Sequence, residues 1–271
     1  MGTKNVSIKL GPILNIAEVG INRASSFMAL GLKVADDDSI RSAKLGPAST
    51  YLFMPDPLTP ELAEKVRYEF RHWIIGNALR EIEQHFVTFL DKLFRILTIL
   101  EWHGKRLPAK AFDSVRRFAS DTNLAKKLRQ LCDDFELKVS WRDHLVGLAP
   151  VRNVIAHNHA VVRARDCPDG KTLRISWIGA DLKIDELQIP LAPEWKPIRL
   201  KSGQQIRGVY SVRERQFRVG ERIEFSSLDL QEICVTYIIG ASQIIEATKV
   251  HARDLGVPLH DSSQSSGGVQ G

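Results

Sequence analysis

Apolar residues set out the plan of the chain before any chemistry is considered. From about residue 59 they recur at helical spacing: Leu62, Val66, Phe70, Trp73, Ile74, Ile82, Phe86, Leu90, Leu93, Leu97 and Leu100. That period predicts one long helix, or two nearly collinear ones meeting at Gly76-Asn77. Thr59 is its expected N-cap, with Pro60 in the first turn and Gly104 and Pro108 at its exit. A shorter helix is expected within 109–119. Another should run from Asp121, as N-cap, to about Leu137 through Leu124, Leu128, Leu131 and Phe135. The S-x-x-D form of "SWRD" at 140–143 predicts a helix start, and Leu145, Leu148, Val151, Val154 and Ile155 continue it, with a kink or split expected at Pro150.

After His159 the period changes to alternation. "VVRAR", "TLRISWI", "QIRGVYSV" and "RVGERIEF" read as strands, with "DCPDGK" at 166–171 as a hairpin turn. Ser226 or Ser227 then caps a last long helix carrying Leu230, Ile233, Tyr237, Ala241, Ile244 and Ile245, which ends at Gly256. Residues 1–58 lack a comparable pattern and are expected to be loosely ordered, as is the Ser/Gly-rich tail at 257–271. The fold class is therefore mainly α: a helical core over 59–159, a β-rich insertion over 160–226, and a closing helix over 227–256 that returns to the core.

Composition narrows the function classes. Charge is +6 overall, and it is concentrated mid-chain: 17 Lys/Arg against 13 Asp/Glu over 59–159, and 13 against 9 over 160–226. A basic centre fits an anionic partner such as a nucleic acid. The three cysteines, Cys132, Cys167 and Cys234, are isolated, which argues against a disulfide framework or a cysteine-built zinc site and fits a reducing cytoplasm. No signal-peptide pattern or membrane-spanning apolar run is evident, no metal site or cofactor is expected, and no HExxH, P-loop or G-x-S-x-G pattern occurs.

Candidate chemistry gathers in "RNVIAHNHA" at 152–160. Arg-x4-His spacing occurs three times, at Arg67/His72, Arg80/His85 and Arg152/His157, so spacing alone does not identify a site. A helical wheel separates them. At about 100° per residue, Val151, Val154 and Ile155 form one apolar stripe, and Arg152, Asn153 and His157 bracket the opposite face with small Ala156 between them. That face offers a cation, an amide and a group titrating near neutrality, suited to a phosphate; a solvated helix end would carry the same residues. Arg67/His72 reads as surface, and Arg80/His85 as a polar face that could neighbour the first. His159 reads as a loop residue. The adjacent "HNH" at 157–159 lacks the ββα spacing of a metal nuclease. The insertion's arginines could track phosphates and Trp177, Tyr210 and Phe217 could stack bases, although a solvated strand face is the commoner use of such residues.

"RNVIAH" resembles the R-polar-x3-H signature of the HEPN superfamily, helical domains that often act as ribonucleases. The resemblance covers roughly 60–158 and 227–255, leaving the N-terminal stretch and the β insertion unaccounted for. It implies a HEPN-like bundle and a metal-independent endoribonuclease acting as a homodimer on RNA, of toxin or defence type, with an antitoxin or other regulatory protein as a partner. On that resemblance His157 is the acid/base group, Arg152 holds the phosphate, and Asn153 orients the histidine or bonds the phosphate. The acidic or polar helper that the family often carries on an earlier helix falls to Glu81 or Glu83, with His85 nearby. The alternative is a non-catalytic HEPN-like module for RNA or protein binding or for dimerisation. Since Arg152 and His157 lie on the polar face, replacing either with alanine is expected to leave the melting temperature within a few degrees.

Overall fold

The computed structural model describes residues 8–40, 42, 57–185, 187–190 and 205–257. Among these described residues are six α-helices: α1 (Gly11–Ala35), α2 (Pro60–Glu101), α3 (Ala109–Ser120), α4 (Leu124–Asp134), α5 (Arg142–His157) and α6 (Ser227–Asp254). Three strands, β1 (Thr172–Ile184), β2 (Leu187–Pro190) and β3 (Ile206–Arg218), form an antiparallel sheet in the order β2-β1-β3, inserted between α5 and α6. The mainly-α plan with a β insertion before the last helix is thus the observed one.

α2 is the spine. Thr59 Oγ1 accepts from the Leu62 N–H, as an N-cap should, and the helix passes unbroken through Gly76-Asn77. One side of it is fully buried at Ile82, Phe86, Phe89, Leu90, Leu93 and Leu97. Phe86 meets Tyr237 of α6 edge to face at 5.4 Å between ring centres. α6 opens on a reciprocal Ser226–Asp229 capping box. It closes with left-handed Gly256, whose N–H donates to the Arg253 carbonyl while Val257 N–H donates to that of Ala252. α6 is also long and apolar enough to cross a membrane, with half of its most apolar window buried within the molecule.

The N-terminal stretch is the main correction. Residues 11–35 are a 25-residue helix lying antiparallel to α2. Its buried line is Ile13, Ala17, Gly20, Ile21, Ala24, Met28, Leu32 and Ala35, a helical period built largely from small residues. The glycines let the two backbones close: a Cβ on Gly20 would lie 2.3 Å from His85 Cβ, and one on Gly31 would lie 2.3 Å from Ile74 Cδ1. The acidic run "ADDDS" is where this helix ends, and there Asp36 pairs with Arg71 at 2.8 Å and Asp38 with Arg67 at 3.0 Å. Residues 1–7, most of 41–56 and the tail from 258 onward lie outside the described residues.

Smaller corrections have local causes. α4 is capped by Asn123, whose side chain accepts from Lys126 N–H, while Asp121 instead braces the Asn123 N–H. α5 starts at Arg142 with no side-chain cap, so Ser140 does not act as one, and the helix runs through Pro150 without a break. "VVRAR" is not a strand: Val161 makes one bridge to Arg222, and Ala164–Asp166 is a 3₁₀ turn. "DCPDGK" leads from that turn into β1, with Asp169 accepting from the Lys171 and Thr172 N–H groups. The two expected strands at 205–225 are one, β3, followed by a turn at Val219-Gly220 and irregular chain that holds the Arg222 bridge.

Candidate active site

The site is built where α5 crosses α2. Gly76 makes the crossing close: a Cβ there would stand 3.4 Å from both Ala156 Cα and Ile155 Cγ2. From this contact a groove of about 990 Å³ opens between the two helices and the turn that follows α5. Arg152 and His157 of α5 both line it. Asn153 is exposed but does not line it.

Glu83 anchors the arginine. It sits on the buried side of α2 with 5% of its surface exposed, and its Oε2 accepts from both Nε and Nη2 of Arg152, each at 2.8 Å. Burial pushes the Glu83 carboxyl up from its ordinary pKa, and the Arg152 charge and hydrogen bond pull the other way. Its Oε1 is buried without a hydrogen-bond partner among the described residues. Beneath the pair, burial and then the Glu83 charge drive the Tyr237 phenol well above its usual value. Arg152 is thus held from behind while part of its head stays accessible.

The other proposed helpers lie elsewhere. Glu81 pairs with Arg23 of α1 at 3.0 Å, and His85 Nδ1 meets the Ile16 carbonyl at 3.2 Å, so both serve the α1–α2 contact and neither lines the groove. Conversely, His72 is more than surface. Its Nδ1 sits 2.9 Å from the Tyr68 carbonyl, and the ring lines the groove, while its sequence partner Arg67 turns away to Asp38.

Charge in the groove is mainly positive. Lys65 and Arg80 of α2 and Arg222 of the insertion join Arg152, against the carboxylates Glu69 and Glu83. Four cations against two carboxylates leave two positive charges with the histidines neutral, a field that concentrates anions in a concave site. Arg222 enters because its Nη1 donates to the Tyr68 hydroxyl at 2.7 Å, and its guanidinium lies 5.3 Å from that ring's centre. Trp73, 64% exposed, lines the same groove, stacked with Phe70 at 6.1 Å. Lys65, Glu69, Asn77 and Arg80 share one side of α2 and were readable as polar positions, whereas Trp73 was expected in the apolar stripe and instead faces the groove, and Arg222 had no local signal.

The insertion's own aromatic and basic residues are used differently from the base-stacking expectation. Trp177 and Phe217 are buried and only Tyr210 is open, at 62% exposure. Arg213 and Arg215 turn inward to carboxylates. Immediately after the motif, His159 and Ala160 both adopt left-handed backbone, φ +50° and +62°. Such residues other than glycine cost on the order of 1 kcal/mol each. His159 lines the groove as well. Among the described residues no group of three or more His, Cys, Asp or Glu side chains is placed to hold a metal ion.

No family model, curated protein or solved structure matches this chain.

Proposed function

We propose that the chain is a HEPN-like, metal-independent endoribonuclease that acts as a homodimer in the cytoplasm, as a toxin or defence effector held in check by an antitoxin or other regulatory protein. The observation that carries this reading is Arg152, anchored by buried Glu83 yet lining a net-positive groove that also receives His157. A guanidinium fixed from behind keeps its geometry while a phosphate binds in front, so little ordering remains to be done at the moment of reaction. His157 is exposed at the last turn of α5, where its imidazole can accept a proton from substrate. The nucleophile is the RNA's own 2′-hydroxyl, already held beside the phosphorus. Asn153 orients the ring or meets substrate from a second copy.

The test is incubation of the pure protein with a mixed RNA pool in EDTA, beside His157→Ala. Expected are 2′,3′-cyclic phosphate and 5′-hydroxyl ends, no cutting of DNA, and loss of cutting in the variant. EDTA-sensitive cutting of both RNA and DNA would overturn the mechanism. The dimer is tested by light scattering at micromolar concentration: an active monomer would count against it. A second reading, a binding module without chemistry, draws on the exposure of Trp73 in the groove; RNA binding with no cleavage under any condition would favour it.

A further inference from the structure

Transesterification moves two protons at one phosphate. The 2′-hydroxyl must lose one as it attacks, and the departing 5′-oxygen must gain one. A single histidine in contact with the 2′-oxygen does not do both in one step. A guanidinium is too weak an acid to serve as that proton donor, so a second acid–base group is needed. Resting on the ribonuclease reading above, we infer that His159 is that group and protonates the 5′-oxygen.

Two lines of structure lead to it. First, His159 lines the same groove as Arg152 and His157. Two residues of chain cannot hold Cα atoms more than about 7 Å apart, and with both residues lining one groove the two imidazoles can converge on one phosphodiester. Second, the turn that presents His159 is locally unfavourable and is held by hydrogen bonds. His159 and Ala160 are both left-handed. Asn158 between the two histidines is 3% exposed, its Nδ2 donating to Asp166 and its Oδ1 accepting from Arg165, each at 3.1 Å. Ala160 N–H donates to the Val154 carbonyl at 3.2 Å, and the Ala160 carbonyl accepts from Ile223 N–H at 2.8 Å. These bonds hold the turn through residues other than His159, whose ring makes no hydrogen bond or ion pair among the described residues. Strain that persists because its surroundings impose it, at an imidazole without a partner among the described residues, is the arrangement expected of a functional group.

The step balances. The 2′-oxygen to phosphorus bond forms as His157 takes the 2′-hydroxyl proton. The phosphorus to 5′-oxygen bond breaks, its electron pair stays on that oxygen, and His159 gives it a proton. The products are a 2′,3′-cyclic phosphate and a 5′-hydroxyl, with the protonation states of the two histidines exchanged and reset through water.

The experiment compares an ordinary RNA with one carrying sulfur in place of the bridging 5′-oxygen at the cut site, since a thiolate leaves without needing a proton. His159→Asn removes the titrating ring and keeps a residue tolerant of left-handed backbone. Expected is a loss of about 100- to 10,000-fold on ordinary RNA, the usual range for a general acid, with a rate within about tenfold of wild type on the sulfur substrate. His157→Asn should be slow on both. His159→Gly, for which the backbone is unstrained, should repeat the pattern even if asparagine perturbs the turn. His159→Asn cutting ordinary RNA like wild type would overturn the assignment and pass the role to His72 or to a second copy's motif. Equal loss on both substrates in both variants would also overturn it. A wild-type protein that cuts neither substrate would remove the ribonuclease reading itself.

Discussion

Two of the buried charge clusters among the described residues are built to different standards. Under the sheet, Glu232 of α6 accepts from Trp177 Nε1 at 2.9 Å, the Ala180 N–H at 3.2 Å and Arg213 Nη2 at 3.2 Å. Arg213 also pairs closely with Asp181, which accepts from the Ser211 hydroxyl at 2.8 Å. Every carboxylate oxygen there has a partner. Between α2 and α5, Glu83 holds Arg152 through one oxygen and leaves the other without one. A saturated cluster has no capacity left for a ligand, and its work is to fix the insertion on α6. An unsaturated pair at the edge of a groove keeps Arg152 available, at the cost of a buried, incompletely solvated carboxylate. The difference separates framework from site more sharply than the number of charges does.

The largest effect on stability should come from breaking the saturated cluster. Glu232→Ala strands the Arg213 guanidinium and the Trp177 indole N–H, and a loss of about 3–5 kcal/mol is expected by urea denaturation. A loss under about 1 kcal/mol would mean that the network does not hold the insertion. Gly179 belongs to the same construction, since a Cβ there would lie 2.2 Å from Arg213 Nε.

Next is Arg152→Ala, and here the structure overturns the expectation of an unchanged melting temperature. The substitution leaves Glu83 buried and unpaired, for an expected loss of about 2 kcal/mol at neutral pH. That is less than for a fully enclosed pair because the Arg152 side chain is 27% exposed. The pH dependence has a definite sign. A carboxyl whose folded pKa is raised binds more protons folded than unfolded, so its relative stability is greatest below the unfolded pKa and declines as pH rises through the folded one. Without Arg152 the raising effect of burial is unopposed. The deficit of Arg152→Ala against wild type should therefore shrink as pH falls from neutrality toward the ordinary carboxyl range. In a Glu83→Gln background the further cost of Arg152→Ala should be close to pH-independent there. A deficit that grows on acidification would refute Glu83 as its source.

α2, α5 and α6 were legible because their buried faces are large, branched or aromatic residues at helical spacing. α1 was not, since its face alternates Ile and Met with Ala and Gly, and small residues that let helices close read, along the chain, like loop. The wheel placed Arg152 and His157 away from the core, and they do reach a common groove. It could not tell that Arg152 also turns back to a carboxylate 69 positions earlier in the chain. Nor could it choose Glu83 over Glu81, two residues apart on α2: the choice depends on which side of α2 faces α5 and which faces α1. Arg222 and the strained turn at His159 follow from how the insertion returns to the core, a long-range matter with no local sequence mark.

The smallest stability effects belong to the exposed members of the motif, and they separate one chain's site from a shared one. His157→Ala removes an exposed ring at the end of α5, and its melting temperature should stay within a few degrees of wild type while cleavage is lost. Asn153→Ala should cost no more than about 0.5 kcal/mol, since the side chain is exposed and outside the groove. Its effect on cleavage is the informative quantity. If the groove of one chain is the whole site, Asn153 touches no substrate and the rate should fall less than tenfold. If two copies meet with their α5 faces opposed, the outward amide of one chain can reach the phosphate held by the other. A fall of a hundredfold with an unchanged melting temperature would then be the signature of a composite site. Mixing His157→Ala with Asn153→Ala protein would decide between these cases: activity in the mixture above that of the two proteins measured separately requires that one intact site be assembled from two chains.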